Sequence, residues 1–162
     1  MEFSIQRFSE IKRSAQEFYS TIGSVYCPYF GEHVHFNTKG FDHFVFKEWN
    51  KARVTYDQFT RLRYIHLAPE VIREAKTLQG IWKTQKFERI KRNGVWIKIL
   101  KTVSYYEFIS IIDLCGTLTR VKVIIKQVDK GDKFFLSIIP FWGINKITGE
   151  RIMYDGNPEN EY

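Results

Sequence analysis

Cysteine is scarce: Cys27 and Cys115 are the two in 162 residues. They do not form a C-x-x-C pair, so neither a disulfide framework nor a zinc knuckle can be read from them. Long apolar runs are missing. None approaches the roughly 20 residues needed to span a bilayer, so no membrane partner is expected. The opening residues MEFSIQRFSEIKR carry charge throughout and lack an apolar h-region, so a secretory leader is not expected there. The expectation is a soluble protein of a reducing, cytoplasmic compartment. There is no internal repeat and no low-complexity stretch. Acidic residues are in deficit: 18 Asp and Glu face 25 Lys and Arg, a net charge of +7. That excess suits a polyanionic partner, most simply RNA or DNA.

What is present suffices for a core. Hydrophobic residues make up 44% and aromatics 17%, which argues against disorder over most of the chain. The length fits one domain. Phe8, Ile11, Ala15, Phe18 and Ile22 recur at helical spacing, so residues 1–25 read as an N-terminal amphipathic helix. VYCPYFGEHVHF is punctuated by Pro28 and Gly31 and reads as a loop leading into a strand at Val34–Phe36. Cys27, His33 and His35 lie close in sequence. No further ligand stands at suitable spacing, so no metal and no cofactor is expected.

Asn37–Gly40 reads as a turn, and Phe41–Trp49 as a short helix or an extended segment. Thr55 and Gln58 have capping-box spacing and open a helix. On it Phe59, Leu62 and His66 share a face, with Arg61 and Arg63 beside it. Pro69 fits the first turn of a second helix. From Ile81 the period changes to two. Trp82–Arg92, Val95–Lys101, Tyr105–Asp113, Arg120–Val128 and Phe134–Pro140 read as strands, with Asn93-Gly94 as a hairpin turn. Helices followed by strands with tight turns give α+β: N-terminal helices on one face of a four- to five-stranded antiparallel meander. Residues 1–142 form one such domain, its core over 26–142, and 143–162 a polar extension.

One sheet face should be open to water. In RVKVIIK, Val121, Val123 and Ile125 point one way and Arg120, Lys122 and Lys126 the other. In FFLSIIPFW, Phe135, Ser137 and Ile139 share a face. With Ser137 on the side of Lys122, that open face carries Arg120, Lys122, Lys126 and Ser137. A solvated lysine-rich face is the plain alternative. RNA cleavage without metal needs a base for the ribose 2′-OH, an acid for the leaving 5′-oxygen, and cations for the phosphorane. His43 titrates near neutrality and could serve as base or acid. Arg61 offers a planar fork for a phosphate. Lys122 and Arg120 could hold neighbouring phosphates, and Lys47 and Lys126 add cations. The plain alternatives are a half-buried His43, helix-surface charges at Arg61 and Arg63, and Trp82 and Trp96 packed across strands.

The order of "VHFNTKGFDHFVFK", "QFTRLRYIHLAPEVIREA", "VSYYEFISII" and "RVKVIIKQVDKGDKFFLSIIPFW" resembles the barnase/EndoU/colicin/RelE-like ribonuclease superfamily, in its phage- and mobile-element-associated branch. The resemblance spans roughly residues 34–142. It implies a metal-independent endoribonuclease, a toxin or mobile-element effector, with an acidic antitoxin or immunity protein as partner. It implies His43, Arg61 and Ser137 as catalytic residues, and Tyr106 and Trp142 as stacking partners for bases. The chain departs from the pattern in lacking an obvious acidic partner for His43, apart from Asp42 and Glu107. A non-catalytic RNA- or antitoxin-binding module on the same scaffold is the alternative.

Overall fold

The structure is a computed structural model that describes residues 5–48, 51–52, 55–140, 143–144 and 151–152. At Lys39, Thr117, 43–48, 51–52, 55–57, 143–144 and 151–152 the description is of backbone. Helix α1 (Ile5–Ile22) precedes strands β1 (Ser24–Cys27) and β2 (Glu32–His35). Helix α2 (Thr38–Val45), the short pair β3 (Phe46–Glu48) and β4 (Lys51–Ala52), and helix α3 (Thr55–Tyr64) follow. A 3-10 turn (Ile65–Leu67) joins α3 to α4 (Ala68–Glu74). The long strands are β5 (Gly80–Arg92), β6 (Val95–Leu114), β7 (Thr117–Val128) and β8 (Lys133–Pro140). A short pair, β9 (Gly143–Ile144) and β10 (Arg151–Ile152), comes last.

The class is α+β, as expected, but the sheet is larger and mixed. Its order is β1-β2-β8-β7-β6-β5. Strands β5 to β8 form the antiparallel meander. β1 and β2 pair as a hairpin, which joins the meander through one parallel contact, His35 beside Phe134. The segment expected as a loop therefore contains a strand. Pro28 and Gly31 do not break it; they lie in the hairpin's turn, where Gly31 has φ +67° and its N–H donates to the Cys27 carbonyl at 3.0 Å. Val25, Cys27 and Val34 are buried, whereas His33 and His35 are exposed, so alternation separates the cysteine from the histidines.

The hairpin turns follow backbone chemistry. Asn93 and Gly94 have φ of 49° and 79°, the left-handed pair a tight hairpin requires. Cys115 and Gly116 repeat this at 53° and 83°, and Asp113 accepts the Gly116 N–H at 2.7 Å. β6 thus runs unbroken where two strands were expected.

The helices cover one face. Ala15 and Tyr19 of α1, Leu62 and Tyr64 of α3, and Val71 and Ile72 of α4 join Phe108, Val121, Val123, Ile125, Phe135 and Ile138 in one core. On α1, Tyr19 occupies the buried position and Phe18 is exposed. Tyr19 stands one turn after Ala15, and its hydroxyl has a partner, donating to the Asn37 carbonyl at 2.7 Å. His66, read as sharing a face with Phe59 and Leu62, is exposed because the chain tightens into the 3-10 turn there.

The expected turn at Asn37–Gly40 opens helix α2 instead. Asn37 caps it: the Gly40 N–H donates at 3.2 Å both to its Oδ1 and to its carbonyl. Gly40 is required by space. A Cβ there would collide with the Phe135 carbonyl and lie 2.5 Å from the Tyr19 hydroxyl. The helix is therefore seated directly on the backbone of β8.

Candidate functional site

The face away from α1 and α4 carries Lys122, Lys126, Arg120 and Ser137, as the alternation of β7 predicts. The parity of β8 needs correction. The register shifts between Ile124 and Ile125, so Ile124 faces Ser137 while Ile125 faces Phe135. Leu136 fills the bulge. Phe135 therefore joins the helix-side core, and Ser137 and Ile139 the other face, although all three were expected together.

This second face is not an open lysine surface. Val103, Tyr105, Ile124, Phe134, Leu136 and Ile139 form a second apolar cluster on it. Lys122 is 5% exposed and Ser137 0%. Register explains what surrounds them. Gly80, Glu107, Ile124 and Ser137 occupy one row across β5, β6, β7 and β8. With strands about 4.8 Å apart, the Cα atoms of Glu107 and Ser137 stand about 10 Å apart in that row. Lys122 lies diagonally from Glu107 and donates to its Oε1 at 3.1 Å. The other carboxylate oxygen leans over Gly80, where a Cβ would come within 2.6 Å of it. At the far end Arg61 reaches down from α3 and donates to the Ser137 hydroxyl at 2.6 Å. Arg61 is buried, not a helix-surface charge.

A second charge group lies toward the hairpin tip. Lys126 pairs with Glu88 at 3.4 Å and stands over the Phe134 ring. Lys86 donates to the Tyr105 hydroxyl at 3.1 Å, and Trp82 stacks on Tyr105 at 5.5 Å, packing across the strands as expected. Trp96 is exposed, with Arg89 of the neighbouring strand 5.9 Å from its ring.

Burial pushes the Tyr105 phenol up to about 12, and the Glu88 carboxylate adds to this. Burial, with Asp42 second, also raises the Tyr19 phenol. Both phenols stay neutral in the fold at a pH where the unfolded chain, titrating near 10, has begun to ionise. The contribution of Tyr105 is complete below about pH 10 and is lost as pH rises toward about 12. Stability measured by urea unfolding should fall over that window, and Tyr105→Phe should flatten the fall. An equally steep loss in that variant would remove Tyr105 as a cause.

Other expected site residues fall elsewhere. Tyr106 is on the helix side of β6, its hydroxyl donating to Gln127 at 2.9 Å and its ring against the edge of Phe30. It does not share a face with Arg120, Lys122 and Lys126. Arg120 is half-buried opposite Ile111. His43 lies on α2 and Lys47 on β3, where the description is of backbone, and Trp142 lies outside the described residues. Glu107, which the sequence offered with Asp42 as a possible acidic partner for His43, sits in that row between Gly80 and Ile124. Its signal was an isolated acid inside the apolar run YYEFISII.

Comparison with family models, curated proteins and solved structures finds no match. No described helix is long and apolar enough to cross a membrane.

Proposed function

We propose that the chain is a metal-independent endoribonuclease, a toxin or mobile-element effector acting in the cytoplasm. One observation carries the reading: Glu107 and Ser137 share a row of one sheet face, with Lys122 of the neighbouring strand bonded to Glu107 and Arg61 of α3 bonded to Ser137. Buried charges in the middle of a sheet add little stability, and such groups concentrate where chemistry is done. In this reading Glu107 takes the ribose 2′-OH proton. A phosphate competes with Glu107 for Lys122 and with Ser137 for Arg61, and both cations then carry the charge of the phosphorane. His43, three residues beyond Gly40 on the helix seated against β8, protonates the leaving 5′-oxygen. Ser137 positions Arg61. Lys126, Arg120 and Lys47 hold flanking phosphates.

Burial of Ser137 and of Lys122 favours a second reading, a module that binds RNA or an acidic antitoxin without cleaving. Incubation with total RNA in EDTA separates the two. The first reading expects cleavage by the wild type, a loss of about 10²–10⁴-fold in Glu107→Gln, and a loss in His43→Ala. Glutamine keeps an oxygen for Lys122, so the fold should survive. RNA bound but uncut by the wild type would leave the binding module standing.

A further inference from the structure

Strand β6 pairs with β5 from Val95 to Glu107 but with β7 only from Val103 to Leu114. Residues 85–92 and 95–102 therefore continue as a two-stranded arm, about 27 Å long at 3.4 Å per residue. Asp129 closes its base, its N–H donating to the Thr102 carbonyl and its carboxylate accepting the Thr102 N–H.

The two faces of the arm differ. The inner one holds Lys86, Glu88, Ile90, Ile97, Ile99 and Lys101, all half-buried, with its cations bonded to Tyr105 and Asp129. The outer face is exposed along its whole length. From base to tip it carries Phe87, Arg89 and Lys91 on β5, and Trp96 and Lys98 on β6, and Lys83 continues the same face of β5 just below the base. It carries no acid. Among the described residues, Lys83, Lys91 and Lys98 make no ion pair, and Arg89 stands 5.9 Å from the Trp96 ring. Phe87 is 69% exposed and Trp96 59%. Lysines on an edge strand are a common guard against sheet-to-sheet pairing. That guard does not account for two large rings held in water among the same cations. Exposed apolar surface of this kind marks a contact site.

The geometry points to the outer face of the arm as a binding site for single-stranded RNA. Bases stack on Phe87 and Trp96, and Lys83, Arg89, Lys91 and Lys98 neutralise phosphates. Alternate residues on one strand face are about 6.8 Å apart, so each cation meets a different part of the extended backbone. A single strand fits better than a duplex, because stacked bases offer no face to an exposed ring. The grooves of duplex RNA are read by shape and by contacts to the 2′-hydroxyls. The site rests on the reading that the chain acts on RNA, but it lies outside the charged row and can fail without it.

The test is fluorescence anisotropy with a labelled single-stranded RNA of mixed sequence, in EDTA, across a potassium chloride series. The variant Lys83→Gln/Arg89→Gln/Lys91→Gln/Lys98→Gln should lower the slope of log affinity against log salt by about 3, at about 0.7 per phosphate contact. Phe87→Ala/Trp96→Ala should weaken binding about tenfold or more with little change in slope. None of these side chains belongs to either core cluster, so thermal unfolding should be unaffected. An unchanged slope in the cation variant, undiminished binding in the aromatic variant, or a wild type that prefers duplex RNA would overturn the site. Any of these with cleavage intact would overturn the arm alone.

Discussion

Gly40→Ala should lower the melting temperature by roughly 10 °C, the equivalent of about 3 kcal/mol in a chain of this size. Alanine is ordinarily the better residue in a helix, by about 1 kcal/mol, so propensity predicts the opposite sign. Sterics decide the outcome. The added methyl would meet the Phe135 carbonyl, which is backbone in a paired strand, and the Tyr19 hydroxyl, which is held by Asn37. A flexible side chain could give way, but a strand can do so only by moving. Adding Tyr19→Phe should recover little, because the backbone contact remains. A midpoint within a degree or two of the wild type would mean that α2 is not seated on β8 as described.

Lys122→Met should cost about 3–5 kcal/mol, read from urea unfolding at neutral pH. The loss arises mainly from removing the Lys122 ammonium from beside the Glu107 carboxylate in a mostly buried position. Glu107 keeps 20% of its side-chain surface exposed, which places the expected value toward the lower end. Lys122→Met/Glu107→Leu should then recover most of the loss, since an apolar pair of similar size needs no desolvation of charge. Such recovery would show that the pair is not retained for stability, which agrees with a role for Glu107 in proton transfer. A double variant as unstable as the single one would assign the pair to the fold and weaken the ribonuclease reading.

The features most legible in the sequence were those set by local rules. Alternation in RVKVIIK placed Lys122 and Lys126 opposite Val121 and Val123, and Asn93-Gly94 marked its hairpin. The order of helices before strands indicated the class. Nonlocal features were not legible. A bulge opposite Ile124 reverses the parity of Phe134 and Phe135 relative to Ser137, and no composition rule signals one inserted residue. Gly40 looked like a turn because a glycine needed for close approach and a glycine needed for positive φ are the same letter. Burial of Arg61 also escaped, since its acceptor, Ser137, lies in another part of the chain. Glu107 became a candidate only when strand register set it beside Gly80 and diagonally from Lys122.

The single parallel contact between His35 and Phe134 also dictates an order of assembly. Hairpins β5–β6, β6–β7 and β7–β8 join neighbours in sequence and can form early, since short loops close at little entropic cost. The β1–β2 hairpin has no place in the main sheet until β8 exists, and α2 has no seat until Phe135 is in its strand. During synthesis, the β1–β2 hairpin and α2 must therefore wait for the arrival of β8. Arg61 likewise meets Ser137 only then. A ribosome-bound chain that stops short of β8 would hold neither the charged row nor the seat of α2, whatever portion of the meander had already formed.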